Sequence, residues 1–534
     1  MIKRQARSSR IFSLFTGAAI AVSAAGVWLP PTAGAATAAA YATSQNGPMI
    51  GQRTPDFKEF LGIRYAQPPI GALRWQPPRP ASSPTKKADA FGPHCPQNAS
   101  PFGKPSTSED CLFLNVFTPL DAAEGRSNLP VMVWIHGGNL TEGESDDFNP
   151  VRLVHEGVIV VTLNYRLGAL GFLAQPSLDA ETHPGVNYGL LDQQAALKWV
   201  QDNIGGFGGD PRNVTIFGQS AGGQSVLSNM VSPGAHGQFA RAINESGGYG
   251  LILPTLAEAE AQGTAFAAQA GCGDQTAACL RQLPVATILV HQEPGFSTTI
   301  LDGTVLPQSI DVALKNGSFD RVPILSGSNH DEGRLFVAEQ FDLAGAPLSA
   351  AGYTAFVQSE LGDAAGPVLA EYPLSAFPSP DLALAALETD GIFACNTMRA
   401  DTLAARFVPA FEYEFSDENA PELFVPPASF PYGATHASEL QFLFDSFTQA
   451  GNADETPTLT PAEQALAQSM VRYWTNFAKN GDPNGPGVPR WKQLGPHRMT
   501  VQTLGPRVAS QVDFSTQHKC DFWNPIISVH PLPL

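Results

Sequence analysis

The chain of 534 residues is 43% hydrophobic and 15% charged, a composition typical of a soluble globular protein with a large core. Its 31 basic and 49 acidic residues give a formal net charge of −18 at pH 7. This charge argues against a nucleic-acid partner, because no basic stripe is available to meet phosphates. The length alone allows several average domains or one long α/β unit.

The first 35 residues predict a secretory signal peptide. Four basic residues precede an uncharged run from Ile11 to Leu29, which ends at Pro30-Pro31 and the small residues Ala33-Gly34-Ala35. A membrane anchor is the alternative, since the run nearly reaches the ~20 residues that span a bilayer. Its richness in Ala, Gly and Ser and the proline pair favour cleavage near Ala35. We therefore predict an exported protein, extracellular or periplasmic, without stable membrane insertion.

Six cysteines fit an oxidising compartment, and their even number favours disulfides over reduced, buried thiols. The spacing alone does not choose among the possible pairings. The residues are Cys95, Cys111, Cys272, Cys279, Cys395 and Cys520.

Two short apolar runs rich in β-branched residues, 129–135 and 157–163, predict strands. Continuous rather than alternating apolarity indicates that both faces of each strand are covered, as in a parallel sheet. Apolar residues recur near helical spacing between 188 and 204 and predict a crossover helix before a further strand at 214–217. This alternation predicts an α/β fold. We expect residues 36–534 to form a single catalytic domain.

A Gly-x-Ser-x-Gly motif, Gly218 to Gly222, directly follows the strand at 214–217 and is followed by small residues that could open a helix. This is the pattern of a nucleophile elbow, in which Ser220 stands at the carboxyl edge of the sheet. The sharp turn crowds neighbouring backbone, which gives Gly218 and Gly222 a steric reason to be glycine.

A serine nucleophile needs a base and an orienting acid, and in α/β-hydrolases the chain order is Ser, then Asp or Glu, then His. His436 lies downstream and precedes an apolar run, whereas the rival residues His330 and His497 lack this context. Asp331 and Glu332 are adjacent candidates for the acid, and the residues alone do not separate them.

Several segments resemble the type-B carboxylesterases, the family that includes cholinesterases and bacterial carboxylesterases. Phe207–Gly223 resembles the serine signature of that family, and Glu109–Val116 resembles a second signature. Gly433–Glu439, around His436, and Trp474–Pro483 extend the similarity over nearly the whole mature chain. The resemblance implies an α/β-hydrolase fold, with a mostly parallel central sheet flanked by helices, and hydrolysis of carboxylic esters.

The resemblance also implies a Ser-His-Glu triad. It makes Ser220 the nucleophile that carries the acyl group and His436 the base. It places the acid on Glu332, the residue before a glycine, and leaves Asp331 to bond backbone groups and shape the turn.

For the oxyanion site, the segment from His136 to Asn139 matches an HGG-type loop after a strand. Backbone N–H groups of Gly138 and Asn139 are expected to act together with that of Ala221. His136 itself is expected to pack the loop rather than to take part in catalysis. The disulfides that the family implies are Cys95–Cys111, Cys272–Cys279 and Cys395–Cys520.

The chain departs from the family pattern at three places. Asn139 replaces a third glycine and narrows the expected pocket, and Gln219 replaces the usual Glu before the nucleophile. The loop between Cys95 and Cys111 contains no Trp, whereas cholinesterases hold their choline-binding Trp in the matching loop. We therefore predict no choline site, and we expect the acidic residues at 142, 144, 146 and 147 to be solvated.

The function that these residues predict is that of a secreted serine carboxylesterase, which acts on a small-molecule or polymeric ester through an acyl-enzyme. A lipase for longer-chain acylglycerols is the closer alternative. A non-catalytic interaction protein is the more distant one, and a complete triad argues against it. We predict no cofactor and no metal, since there is no HExxH, Cys/His cluster or phosphate-cradling loop. The oligomeric state does not follow from the sequence.

Overall fold

A computed structural model describes residues 38–81, 85–125, 127–181, 185–292, 295–446, 457–495, 500–506 and 511–527. The predicted signal peptide lies outside these residues. Residues from Ala38 onwards belong to one compact unit. None of the described helices is both long and apolar enough to cross a bilayer.

Twelve strands in the described residues form one sheet with the order β1-β2-β3-β4-β6-β5-β7-β8-β9-β10-β11-β12. The strands from β6 to β11 are parallel, while antiparallel pairs close both ends of the sheet. The strands are β1 (Ala38–Ser44), β2 (Gly47–Arg53), β3 (Phe57–Arg64), β4 (Phe113–Pro119), β5 (Leu129–Ile135), β6 (Ile159–Leu163), β7 (Gly209–Gln219), β8 (Arg241–Glu245), β9 (Ile324–Asn329), β10 (Ala410–Phe415), β11 (Thr500–Leu504) and β12 (Gln511–Asp513).

The α-helices of the described chain flank this sheet and build a helical region beyond it. They are α1 (Val151–His155), α2 (Gly168–Phe172), α3 (Pro176–Asp179), α4 (Tyr188–Asn203), α5 (Ala221–Val231), α6 (Leu256–Gln269), α7 (Ala277–Gln282), α8 (Val285–His291), α9 (Ile310–Asn316), α10 (Gly333–Val337), α11 (Ala350–Leu361), α12 (Ala365–Glu371), α13 (Pro380–Glu388), α14 (Cys395–Ala404), α15 (Leu440–Leu443), α16 (Pro461–Asn480), α17 (Phe514–Gln517) and α18 (Cys520–Ile527). Two π-helical segments, Ala338–Asp342 and Thr389–Ala394, directly follow α10 and α13.

The central strands are apolar throughout because they feed two separate cores. In β5, Val131 and Val133 pack into the core that contains α4 and α5, while Met132 and Trp134 pack into the core that contains α16. Alternate side chains of a strand point to opposite faces, so burial on both faces requires an unbroken apolar run. This confirms the sequence interpretation of a parallel sheet covered by helices, as in the α/β-hydrolase fold.

The three disulfides implied by the family resemblance are present, and they leave no cysteine free. Cys395–Cys520 joins α14 to α18 across 125 residues of sequence and belongs to a third core, built by α11 to α14 and α18. This bridge therefore ties the end of the described chain to the helices that follow the acid-bearing turn.

Candidate active site

The carboxyl ends of the parallel strands bring the predicted site residues to one edge of the sheet. Strand β5 ends directly before His136, β7 ends before Ser220, and β9 ends three residues before Glu332. His436 lies on the long connection after β10. Ligand sites of open α/β sheets lie outside this edge, so the fold alone gathers residues that are far apart in sequence.

Ser220 lies on a sharp turn between β7 and α5. Its backbone has φ 56° and ψ −125°, a conformation that L-residues rarely adopt. A Cβ on Gly222 would lie 1.9 Å from the carbonyl oxygen of Ile135, and one on Gly218 would lie 2.6 Å from the backbone of Gly222. The turn therefore requires glycine at both positions, as the motif predicts, and its geometry is that of a nucleophile elbow.

The histidine and the acid that the family pattern pairs are in direct contact. Nδ1 of His436 lies 2.5 Å from Oε2 of Glu332, and both side chains are buried. The backbone N–H of Asn329 donates to the other oxygen, Oε1, at 2.7 Å. Because a carboxylate only accepts, the proton of the neutral imidazole resides on Nδ1 and the lone pair on Nε2.

The neighbouring acid makes different contacts. Asp331 pairs with Arg334 at 2.7 Å and accepts a hydrogen bond from the backbone N–H of Ala434 at 3.0 Å. It also contacts His330, whose side chain is 42% exposed. Asp331 thus shapes the turn, and Nδ1 of His330 pairs with this carboxylate. The other rival, His497, lies outside the described residues.

The lone pair of His436 faces a glutamine side chain. Nε2 of His436 lies 3.2 Å from Nε2 of Gln219, the residue before the serine. The rings of Phe336 and Phe393 pack on the imidazole with centroid distances of 4.9 and 5.1 Å. These contacts leave His436 only 5% exposed, so little water competes for its hydrogen bonds.

The loop after β5 approaches the elbow closely. A Cβ on Gly137 would lie 3.1 Å from Cβ of Ser220. Gly138 and Asn139 both adopt left-handed backbone, with φ 91° and 52°. Asparagine tolerates this conformation better than most residues, so the chain keeps the turn without the third glycine. Ala221, the other predicted donor, is the first residue of α5, where a helix has unsatisfied N–H groups.

His136, which begins this loop, is buried and stacked on Tyr165 at a centroid distance of 4.5 Å. Burial lowers its pKa to about 4, so the imidazole is neutral at physiological pH. This packing agrees with the expectation that His136 supports the loop.

The predicted triad residues Ser220 and His436 line one open cleft with an empty volume of about 680 Å³. Its walls combine apolar side chains with two acids, and none of its lining residues is Lys or Arg. Burial raises the pKa of Glu339, with a further contribution from Glu142, to about 7, although the proximity of His436 opposes the rise. The other residues that line the cleft are Phe102, Gly138, Asn139, Glu142, Gln219, Leu335, Phe336, Glu339 and Ala437.

A second pocket of about 490 Å³ adjoins the cleft and shares Phe102 and Gln219 with it. Its walls include Glu144 and Asp147, which we expected to be solvated. That expectation is wrong, because the side chain of Glu144 is fully buried and that of Asp147 is 13% exposed. Lys104, from the Cys95–Cys111 loop, covers both carboxylates at 3.6 and 3.4 Å.

The same loop supplies an aromatic side chain. The ring of Phe102 packs at a centroid distance of 5.5 Å from that of Phe424, and both residues line the adjoining pocket. The sequence contains this signal, since Phe102 lies between the paired cysteines, but the prediction from the loop concerned Trp alone.

His94, Glu144 and Asp146 place possible metal-ligand atoms within 4.8 Å of one another. Lys104 already lies among these carboxylates, 3.6 Å from Glu144 and 4.0 Å from Asp146. Burial, the largest single cause, opposes protonation of His94, but the hydrogen bond to Asp146 and the charges of Asp146 and Glu144 together raise its pKa. Protein cations thus compensate these acids, and we assign no metal to them.

Comparisons with known proteins agree with this geometry. The family model described as Carboxylesterase family matches residues 38–523. Fumonisin B1 esterase of Sphingopyxis macrogoltabida is 35% identical over 481 residues, covering 85% of this chain and 84% of the relative. Human cocaine esterase is 34% identical over 497 residues, which cover 87% of this chain and 86% of the relative. The solved structure of a PNB esterase, 32% identical, superposes with a TM-score of 0.75 over 90% of this chain and 99% of its own.

The family model spans nearly all of the described residues, and the relatives are matched over most of their lengths. The chain therefore belongs to the carboxylesterase family of α/β-hydrolases, which are carboxylic ester hydrolases.

Proposed function

We propose that this protein is an exported serine carboxylesterase that forms an acyl-enzyme on Ser220. The observation that carries the proposal is the 2.5 Å contact between His436 and Glu332 in the cleft lined by Ser220. A serine alcohol is a poor nucleophile, and a histidine held by a buried carboxylate is the base that activates it.

In the proposed reaction, Oγ of Ser220 attacks the ester carbonyl while Nε2 of His436 accepts the hydroxyl proton. The tetrahedral oxyanion receives hydrogen bonds from the N–H groups of Gly138, Asn139 and Ala221. Collapse of this intermediate breaks the bond to the alcohol, which takes the proton from His436. Water then gives a proton to His436 and attacks the acyl group, and the carboxylic acid leaves as Ser220 regains its proton. Glu332 orients the imidazole and stabilises its cation.

Export is the second part of the proposal. The predicted signal peptide motivates it, and the six cysteines, all paired, fit an oxidising compartment. Amino-terminal sequencing of protein recovered outside the cytoplasm should begin near residue 36. An intact leader on the active protein would contradict this part.

The catalytic part is tested with a p-nitrophenyl ester and two serine variants. Ser220→Ala should lower kcat about 10⁶-fold, because the triad acts as a unit. Ser225→Ala is the matched control, since Ser225 is a buried serine on α5, the helix that follows Ser220. It should retain activity. Wild-type protein should also release a burst of p-nitrophenol equal to the enzyme concentration, and its absence together with activity in Ser220→Ala would reject Ser220 as the nucleophile.

A further inference from the structure

The side chain of Gln219 contacts Nε2 of His436, the atom that accepts the proton of Ser220 in the proposed mechanism. With the proton of neutral His436 on Nδ1, facing Glu332, Nε2 can only accept a hydrogen bond. The side-chain NH₂ of Gln219, 3.2 Å away, can only donate one. The contact therefore uses the same lone pair that must accept the proton of Ser220.

We propose that Gln219 is a positioning residue that holds His436 in a resting state, and that its hydrogen bond to Nε2 must break before Ser220 can be deprotonated. The inference rests on the proposed roles of Ser220 and His436. It adds a step of side-chain rearrangement before acylation.

Burial makes this hydrogen bond matter. Gln219 is 3% exposed and His436 is 5% exposed, so bulk water does not replace either partner. The glutamine also lies close to the predicted oxyanion loop, since a Cβ on Gly137 would lie 3.1 Å from its Oε1 and 2.9 Å from its backbone oxygen. Its amide therefore lies between the histidine and this loop.

The neutral charge of Gln219 also sets the electrostatic surroundings of the histidine. Three described carboxylates act on the imidazole: Glu332 at Nδ1, Glu439 from its own segment and Glu339 from the π-helical segment. Each favours the imidazolium only while it is ionised, and burial raises the pKa of both Glu339 and Glu439 to about 7. A glutamate at position 219 would add a carboxylate beside Nε2 of His436, whereas the NH₂ group of Gln219 can donate only to the neutral imidazole.

The experiment measures kcat/KM against pH, together with the burst rate, for an uncharged p-nitrophenyl ester. Gln219→Leu removes the donor at similar volume, so the burst rate on the alkaline plateau should rise about three- to tenfold, the size of one net hydrogen bond. Its acid limb should move to higher pH. Gln219→Glu should move the acid limb about one pH unit or more in the same direction, since an adjacent carboxylate stabilises the imidazolium.

Gln193→Leu is the matched control. Gln193 is also fully buried and donates to Ser225 at 3.0 Å. Its loss should lower stability and leave the acid limb in place.

An unmoved acid limb in both Gln219 variants, with a burst rate equal to or below that of the wild type, would overturn the positioning role. If Ser220→Ala is inactive in the same assay, an unmoved acid limb with no rise in burst rate rejects only the role of Gln219 and leaves the proposed function intact. Activity in Ser220→Ala would instead reject the proposed function on which it rests.

Discussion

Two buried histidines of this protein each contact a carboxylate through Nδ1, but the partner of Nε2 differs between them. His436 contacts Glu332 at Nδ1 and the neutral Gln219 at Nε2. His518 contacts Asp390 at Nδ1, 2.6 Å away, and Glu414 at Nε2, 2.8 Å away. A histidine between two carboxylates is held as a cation, whereas one with a neutral partner keeps a lone pair for chemistry.

The electrostatics of His518 support this distinction. Burial alone would lower its pKa, but the hydrogen bonds to Asp390 and Glu414 outweigh this and raise the pKa to about 9. The carbonyl oxygen of His518 also lies 3.2 Å from Sγ of Cys395, in the disulfide to Cys520. We therefore interpret His518 as a structural residue, and His436 remains the histidine that we propose as the catalytic base.

The largest expected effect is that substitution of His436 abolishes activity, whereas substitution of His518 lowers stability. His436→Gln should lower kcat about 10⁶-fold and change the unfolding midpoint little, because a glutamine can still donate to Glu332. His518→Gln should destabilise the fold by about 3–5 kcal/mol, the cost of leaving a buried charge unpaired, and keep most of the activity. Esterase assays and urea unfolding measure both, and a reversal of the two outcomes would break the comparison.

The Cys395–Cys520 disulfide, beside His518, should contribute more to the free energy of unfolding than Cys272–Cys279, which closes the shortest loop. In the chain-entropy model, removing Cys395–Cys520, which spans 125 residues, costs ~5 kcal/mol, whereas removing Cys272–Cys279, which spans 7, costs ~2 kcal/mol. Double Cys→Ser variants, compared by urea unfolding, test this. Equal losses would show that the region around His518 does not depend on its covalent tie.

The ion pairs of His518 with Asp390 and Glu414 should stabilise the fold less at high pH. His518 has a folded-state pKa of about 9, above the ordinary value near 6.5, so its contribution to stability is full below about pH 6.5 and is lost as the pH rises through 9. The melting-temperature gap between the wild type and His518→Gln should therefore be widest near pH 6 and should narrow towards pH 10. A gap that stays constant over this range would contradict the cationic state.

The smallest expected effect concerns the charge of Glu339 in the cleft that Ser220 lines. Glu339 is neutral below its pKa of about 7 and charged above it, so the cleft becomes more negative as the pH rises. The ratio of kcat/KM for an anionic hemisuccinate ester to that for an uncharged butyrate ester should fall severalfold from pH 6 to pH 8. Taking the ratio cancels any pH dependence of the catalytic step, which both substrates share.

Glu339→Gln should flatten this ratio, whereas Glu360→Gln, at an exposed site on α11, should not. A slope that persists in Glu339→Gln would assign the pH dependence to another group.

The sequence predicts the elements that depend on local pattern. The apolar runs at 129–135 and 157–163 and the helical spacing after 188 correspond to β5, β6 and α4, because burial on a sheet or along a helix leaves a periodic trace. The glycines at 218 and 222 likewise follow from the local crowding of the turn. The choice of Glu332 over Asp331 required the family pattern, since adjacent acids have equal local signals.

What the sequence did not predict depends on distant parts of the chain. Glu144 is buried because Lys104, 40 residues earlier, folds over it, and the contact of Gln219 with His436 joins residues 217 apart. Phe393, which packs on His436, belongs to a π-helical segment that has no simple periodicity. Such contacts arise only when the sheet order is known.

Covalent labelling with an organophosphonate ester, followed by mass spectrometry of the intact protein and its peptides, tests most directly whether Ser220 is the nucleophile. We expect one adduct per chain, on Ser220, formed in proportion to the loss of esterase activity. The variant His436→Gln should be labelled far more slowly, whereas His518→Gln should be labelled at close to the wild-type rate. An adduct on another residue, or full activity in protein labelled at Ser220, would contradict this role of Ser220.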